Sequence, residues 1–270
     1  MQPWRAELAL DYRLQDGRTV VARRHRGPLQ VQKALYPEGA ALAHTLIVHP
    51  PAGIAGGDEL AIDVAVRPGA QALITTPGAT RWYKANGRLA SQRVTLRVEG
   101  GAEWLPQEVI VYDQAQVHSQ IDIDLADGAA MLGWDIVALG RVAAGEAFAR
   151  GAFAQTIALR EDGRLQWLER TRLAGGDALL DSPIGLGGHV AFGCLWAAGP
   201  RWSGAQIESL RERLPADRVP VTQLAPRLLV ARALGATARA LRGALEAAWR
   251  ELRPLTFAGR AATAPRIWAT

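Results

Sequence analysis

The chain has 270 residues, and its 31 Lys and Arg against 26 Asp and Glu give a formal charge of +5 and a pI near 10.0. Hydrophobic residues make up 49%, enough for a sizeable core, which excludes a disordered chain. A single cysteine, Cys194, excludes a disulfide framework. The basic excess is mostly arginine and reads as a solvated surface. No RRM, KH or Cys/His finger pattern directs it at nucleic acid.

Met1–Arg5 carries no apolar leader run, so no signal peptide is expected and the cytoplasm is the expected location. No linker-like break divides the sequence, and 1–270 reads as one domain. The first two hundred or so residues read as strands. Leu60, Ile62, Val64 and Val66 fall on one face, with Ala61, Asp63 and Ala65 on the other. Val94, Leu96 and Val98 alternate with Thr95 and Arg97, and Ile121, Ile123 and Leu125 with Asp122 and Asp124. A period of two marks half-buried strands. Turn signals separate them at Asp16-Gly17, Pro68-Gly69, Pro77-Gly78, Asn86-Gly87, Asp127-Gly128 and Asp162-Gly163, the last predicting a hairpin.

A Gly-Ala step opens an apolar strand at Gly69, Gly101, Gly128 and, less clearly, Gly151, with intervals of 32, 27 and 23 residues. This drifting period predicts a mainly β fold of stacked, helically wound strands, β-solenoid-like, with a β-sandwich as the alternative. Residues 182–200 carry no charge, but Pro183, Gly185, Gly187, Gly188, His189 and Gly193 break the run. They predict a buried, glycine-rich core segment and no membrane span.

The last quarter changes period. Ser203-Gly204-Ala205-Gln206 fits a capping box and opens a helix predicted to run to Leu214, where Pro215 stops it. A second helix is predicted over 236–252, with Leu241, Leu245, Ala248, Trp249 and Leu252 on one face and Pro254 after its end. Between them, Arg227–Arg232 reads as a short buried strand.

Catalytic signatures are absent: no phosphate-binding G-x-x-x-x-G-K-[ST], no H-E-x-x-H, no C-x-x-C and no G-x-S-x-G. The glycine-rich Gly53–Asp58 ends in an acid and suits a tight turn, not a phosphate. His44 and His49 lie five apart and would face opposite sides of a strand, so they predict no closed metal site. Cys194 reads as a buried packing thiol. Three carboxylates stand out. Asp135 is the only charge between Gly128 and Gly140 and must be paired, protonated or lining a wet cavity. Glu169 shares the face of Leu165 and Trp167 and is expected to point inward. Asp58 follows paired glycines. A salt bridge, with Arg141, Arg170 and Arg172 nearby in sequence, is the plain structural alternative for each.

The ordered set Leu35-Tyr36-Pro37-Glu38-Gly39, His44–Pro51, Gly53–Asp58, Thr75–Ala79, Trp104–Glu108, Trp134-Asp135, Gly145-Glu146, Glu169-Arg170 and Pro265–Thr270 resembles the urease accessory protein UreD (UreH) family over nearly the whole chain. Ala52 departs from that family's Pro-Pro-Gly-Gly turn. Ala43 stands where some members carry cysteine, which weakens any thiol-based metal role. The resemblance implies no catalytic activity and no permanently bound cofactor. It implies a scaffold that binds apo-urease and UreF, and through UreF the GTPase UreG, and that assists delivery of Ni²⁺. It further implies that Asp58, Asp135 and Glu169 line the nickel path, and it makes Pro265–Thr270 a candidate UreF contact. Carboxylate and water ligands hold Ni²⁺ weakly enough to release it, which suits transit. The competing readings are a urease-binding partner with no ion path, a solenoid carbohydrate-active enzyme with paired acids, and a nucleic-acid module.

Overall fold

The computed structural model describes residues 4–215 and 219–269. Met1–Pro3, on which part of the leader reading falls, lie outside the described residues. The first strands in chain order are β1 (Arg5–Gln15), β2 (Arg18–Arg26), β3 (Gln30–Val31), β4 (Leu42–Val48), β5 (Gly53–Ile54) and β6 (Glu59–Val66). Then come β7 (Gln71–Thr75), β8 (Thr80–Trp82), β9 (Ala90–Val98), β10 (Gly101–Trp104), β11 (Val109–Val111) and β12 (Gln116–Leu125). The last are β13 (Ala130–Leu139), β14 (Ala152–Glu161), β15 (Arg164–Ala174), β16 (Ala191–Ala198), β17 (Val221–Ala225) and β18 (Leu228–Gly235).

They form two sheets. The first runs β15-β14-β12-β9-β6-β1-β2, parallel from β14 to β1 and antiparallel at its two terminal hairpins. The second runs β17-β18-β16-β13-β10-β7-β4-β3, parallel from β13 to β4, with β5, β8 and β11 as a parallel strip attached through β13. Both are mixed and open, and the fold is mainly β with two α-helices. Between β6 and β14 the chain passes back and forth between the sheets. The Asp162-Gly163 hairpin is as the sequence predicts: both residues have positive φ, 48° and 76°, the two-residue turn that matches strand twist.

The period-two patterns explain the layering. Leu8, Leu10, Tyr12, Val64, Val94 and Ile123 of the first sheet face Met131, Val137, Trp196 and Val230 of the second. The other face of the second sheet, carrying Leu132, Trp134, Leu195 and Leu229, packs against α1 (Gly204–Arg213) and α2 (Ala238–Thr256). Thus β13 is buried on both faces, and its near-continuous apolar run has that cause. The capping box on α1 is present, with Ser203 and Gln206 bonding each other's backbone. No described helix is long and apolar enough to cross a membrane.

Two expectations are corrected. The second helix does not stop before Pro254 but runs through it to Thr256. Proline in a final turn removes one ladder bond, and the neighbouring Arg253 anchors that turn. The uncharged stretch 182–200 is not one buried segment. Residues 182–189 form a loop in which Ile184 is 92% exposed, and only β16 is buried. The C-terminal turn Arg266–Ala269 lies against the chain's own core. Trp268 packs tilted on Trp134, meets Trp249 edge-on and donates to Thr75 Oγ1 at 3.0 Å. Thr270 lies outside the described residues.

One buried ionic network fixes α2 to the second sheet. Arg253 is fully buried and donates to Glu103 on β10 at 2.9–3.1 Å and to Glu38 at 2.7 and 2.9 Å. Trp249 Nε1 also donates to Glu103, at 2.9 Å, and His44 Nε2 lies 2.9 Å from Glu38. Burial pushes the Glu38 carboxyl upward, but the bonds from His44 and Arg253 outweigh it and hold the group at about 2. Removing one partner of such a network leaves uncompensated buried charge. Arg253→Met is therefore expected to cost about 3–5 kcal/mol, read as a lower urea midpoint at unchanged slope. Adding Glu103→Leu should recover part of that loss. Equal stability of Arg253→Met and the parent would show that the network contributes nothing net.

Candidate functional site

Proline opens the second sheet from within. The link from β4 to β5 crosses His49-Pro50-Pro51-Ala52, that from β7 to β8 crosses Thr76-Pro77-Gly78-Ala79, and that from β10 to β11 crosses Leu105-Pro106-Gln107-Glu108. Proline has no N–H for the ladder, so each of the three strands breaks there. Strand β13 continues unbroken alongside, paired with β10 up to Gly133 and with β11 from Val137. Trp134, Asp135 and Ile136 consequently have no ladder partner on that side. The Trp134 indole closes the gap by donating to Pro106 O at 2.7 Å.

Beneath these breaks, between the sheets, lies a cavity of about 240 Å³ walled by His49, Thr76, Trp104, Gln107, Asp135 and Gln155. A second cavity of about 520 Å³ continues toward β15 and β18, walled by Asp135, Gln155, Glu169, His189, Cys194 and Arg232. Asp135 and Gln155 belong to both. The Gln155 amide on the first sheet donates to Asp135 Oδ2 on the second at 2.9 Å, so this one hydrogen bond spans the space where the cavities meet.

Register builds the floor of the second cavity. Asp135, Cys194 and Arg232 are direct cross-strand neighbours on β13, β16 and β18, on the face turned to the first sheet. Opposite them, Arg232 holds Glu169 through two bonds of 3.1 and 2.6 Å, and Trp167 Nε1 donates to the same carboxylate at 3.1 Å. Trp196 reaches this layer because residue 133 is glycine: a Cβ there would lie 2.3 Å from its ring.

The electrostatics differ from group to group. Asp135 is buried, and burial raises its carboxyl to about 6 against the opposing Gln155 bond. Burial, then the charges of Asp135 and Glu169, push the Cys194 thiol well above its ordinary value, so it is no thiolate at neutral pH. Among the described residues no group of three or more His, Cys, Asp or Glu side chains could hold a metal ion.

The structure brings Asp135 and Glu169 to one cavity and leaves Asp58 apart. Asp58 is buried and lines neither cavity; its oxygens accept from Trp4 N at 3.0 Å and Ala55 N at 2.9 Å. Among the described residues it is the backbone that satisfies it, not a salt bridge. The arginines nearby in sequence are not the partners of the other two acids either: Arg141 pairs with Glu146, and Glu169 pairs with Arg232, 63 residues away.

The whole-chain comparison agrees with the motif order. The sequence model described as UreD urease accessory protein matches residues 5–269. The chain belongs to the UreD family of urease accessory proteins. It is 50% identical over 276 residues to the urease accessory protein UreD of Pseudomonas fluorescens strain Pf-5, covering 99% of this chain and 95% of that one. With the protein of the same name from Dechloromonas aromatica strain RCB it shares 47% over 274 residues, again covering 99% and 95%.

Two residues of this UreD-family site, Gln155 and Arg232, escaped the sequence reading, and His49, which also lines the first cavity, entered it only as no part of a closed metal site. Gln155 interrupts the apolar phase Phe153, Ile157, Leu159 of β14, and Arg232 interrupts Leu228, Val230 of β18. A polar residue in the buried phase of a strand was the available signal in both.

The raised Asp135 carboxyl has a thermodynamic consequence. The folded chain keeps the proton to about pH 6, whereas an unfolded chain releases it near 3.8. Between those values the folded state binds the extra proton, so stability falls as pH rises, and above them the cost is on the order of 3 kcal/mol. Asp135→Asn removes that cost and keeps an oxygen for Gln155. Its unfolding free energy should exceed the parent's by about 1–3 kcal/mol at neutral pH, with the advantage vanishing as pH falls to ~4. Denaturant titrations across that pH range check it. An Asn variant less stable than the parent at neutral pH contradicts it.

Proposed function

We propose that this chain is a cytoplasmic, non-catalytic scaffold of urease maturation that docks on apo-urease and UreF and lets Ni²⁺, delivered from UreG, pass between its two sheets. One observation carries the reading: two inter-sheet cavities meet at Asp135 and Gln155, and among the described residues the carboxylate there has a single side-chain donor. A chain selected only for stability gains nothing from a poorly compensated buried acid. A cation route gains a ligand that attracts the ion and releases it. Asp135 and Glu169 carry the proposal. Asp58, outside both cavities, acts in it through its charge.

The rim of the second cavity supports docking there. Leu234 lines it and is exposed, and the loop that contributes Leu186 and His189 also exposes Leu179 and Ile184. Exposed apolar side chains gathered at a cavity mouth suit a partner surface. The alternation of β6 to β14 between sheets is read as a short stack of wound coils that encloses the route.

The rival reading is a docking partner with no ion path, in which the acids are merely structural. Asp135→Asn and Glu169→Gln, co-expressed with urease and its accessory proteins, separate the two. Transit requires lower urease nickel content at unchanged co-purification of UreF and urease, and for Asp135→Asn at unchanged or higher thermal stability. Full nickel loading in both variants rejects the route. Loss of nickel in proportion to lost assembly assigns the acids to structure.

A further inference from the structure

The basic surplus of this chain sits in one place. Residues 17–37 hold five Lys and Arg and no Asp or Glu, the whole formal charge of +5, and outside them basic and acidic residues balance at 26 each. This segment supplies β2, the strand that ends the first sheet. From Ala22 to Arg26 every residue of β2 is exposed, on both faces of the sheet. Arg18 lies over the Tyr36 ring at 4.0 Å, and Arg23 donates to Val31 O and Gln32 O at 2.8 Å, so neither meets an acid. The acids on the neighbouring strands do not neutralise the others. Asp11 pairs with Arg13 and Arg67, and Glu59 with Arg5. Glu7 stands opposite Arg26 by register, and among the described residues Arg24, Arg26 and Lys33 enter no ion pair.

The backbone of this strand is also unpaired on its outer side. Thr19 N donates away from β1, to Ala40 O at 3.0 Å. Antiparallel pairing alternates along a strand, so Val21, Arg23 and His25 turn their N–H and C=O groups the same way. Among the described residues no backbone group meets them there. A row of free N–H and C=O groups is a template for another strand. Charge decides which strand. Two copies of this edge repel each other, so the arginines bar self-pairing. The same charges attract a strand that carries acids opposite Arg24 and Arg26. Phosphates of a nucleic acid accept hydrogen bonds but do not donate them, and would leave the carbonyls of this edge unmatched.

We propose that the free edge of β2 is a docking edge, joined by an acidic, extended segment of a protein partner as an added strand. Main-chain hydrogen bonds give such an addition its register, and the alternating side chains give it selectivity. The ion route plays no part in it.

The test uses the whole chain with a labelled peptide of alternating Glu and Val, the matching Lys–Val peptide and a single-stranded oligonucleotide. Anisotropy titrations should show the Glu–Val peptide bound, more weakly as salt rises, and the Lys–Val peptide unbound. On the unaltered protein, bound peptide should slow amide hydrogen exchange at Val21, Arg23 and His25. Arg24→Glu combined with Arg26→Glu should lower affinity for the Glu–Val peptide roughly tenfold or more and create affinity for the Lys–Val peptide. His25→Pro keeps the arginines and removes one outward N–H, a change an edge strand tolerates. It should weaken peptide binding about fivefold, the scale of one net hydrogen bond, and leave oligonucleotide binding unchanged. Thermal melts matching the parent's should show both variants folded. No peptide binding, equal binding of the two peptides, or unchanged exchange at the three amides overturns the proposal. An oligonucleotide bound more tightly than the peptide, with His25→Pro silent toward both, assigns the edge to polyanions and overturns it as well. None of these readouts involves nickel, so the transit reading stands or falls separately.

Discussion

A carboxylate between two apolar sheets is the constraint around which the middle of this fold is organised. Asp135 sits on a strand buried on both faces, where an ionised group needs compensation that one amide does not provide. Its carboxyl is accordingly raised to about 6. The surroundings accommodate it by geometry. Three proline-bearing breaks in β4–β5, β7–β8 and β10–β11 remove the ladder beside it and open the space that admits water. Gly133 admits Trp196 to the layer, and Gln155 crosses from the opposite sheet.

The same chain solves the opposite problem a short distance away in sequence. Glu103 is as buried as Asp135, yet it receives bonds from Arg253 and Trp249, and Arg253 is shared with Glu38. There the acids are fully compensated, and the outcome is mechanical: α2 is clamped to the sheet that carries β13. The contrast bears on function. Glu38, Glu103 and the cavity-facing Glu169 are each held by several donors, whereas Asp135 accepts from the Gln155 amide. A structural role for Asp135 has to explain why the second solution was not used twice.

Much of this was legible in the sequence, and the limits have physical causes. Period two placed Leu60–Val66, Val94–Val98 and Ile121–Leu125 correctly because each buries one face and exposes the other. The capping box located α1 because its signal is local. Asp135 stood out because it was the lone charge in an apolar run. The end of α2 was misplaced because the tertiary anchor at Arg253 overrides a local proline signal. Residues 182–200 misled because absence of charge does not separate a glycine-rich surface loop from a buried strand. Arg232 could not be paired with Glu169 from sequence, since cross-sheet partners 63 residues apart leave no spacing rule. The breaks that make the cavity were visible as prolines, but their alignment side by side depends on strand register.

On the proposed route, the Glu169–Arg232 pair would set the condition under which an ion leaves the second cavity. Both oxygens of Glu169 are already engaged by the guanidinium, so an arriving cation has to compete with a resident one. Arg232 is not enclosed: its side chain is 47% exposed and can turn outward into water. Exchanging one cation for another there leaves the charge of the site nearly level, which keeps the well shallow. The neighbouring thiol of Cys194, held protonated by burial and by the acids beside it, adds no soft anchor. A divalent ion passing Glu169 on that route would face Arg232 as a standing competitor, and the return of the guanidinium would favour release. Weak binding in this cavity would then follow from the pairing of its own residues, which is what the proposed transit requires.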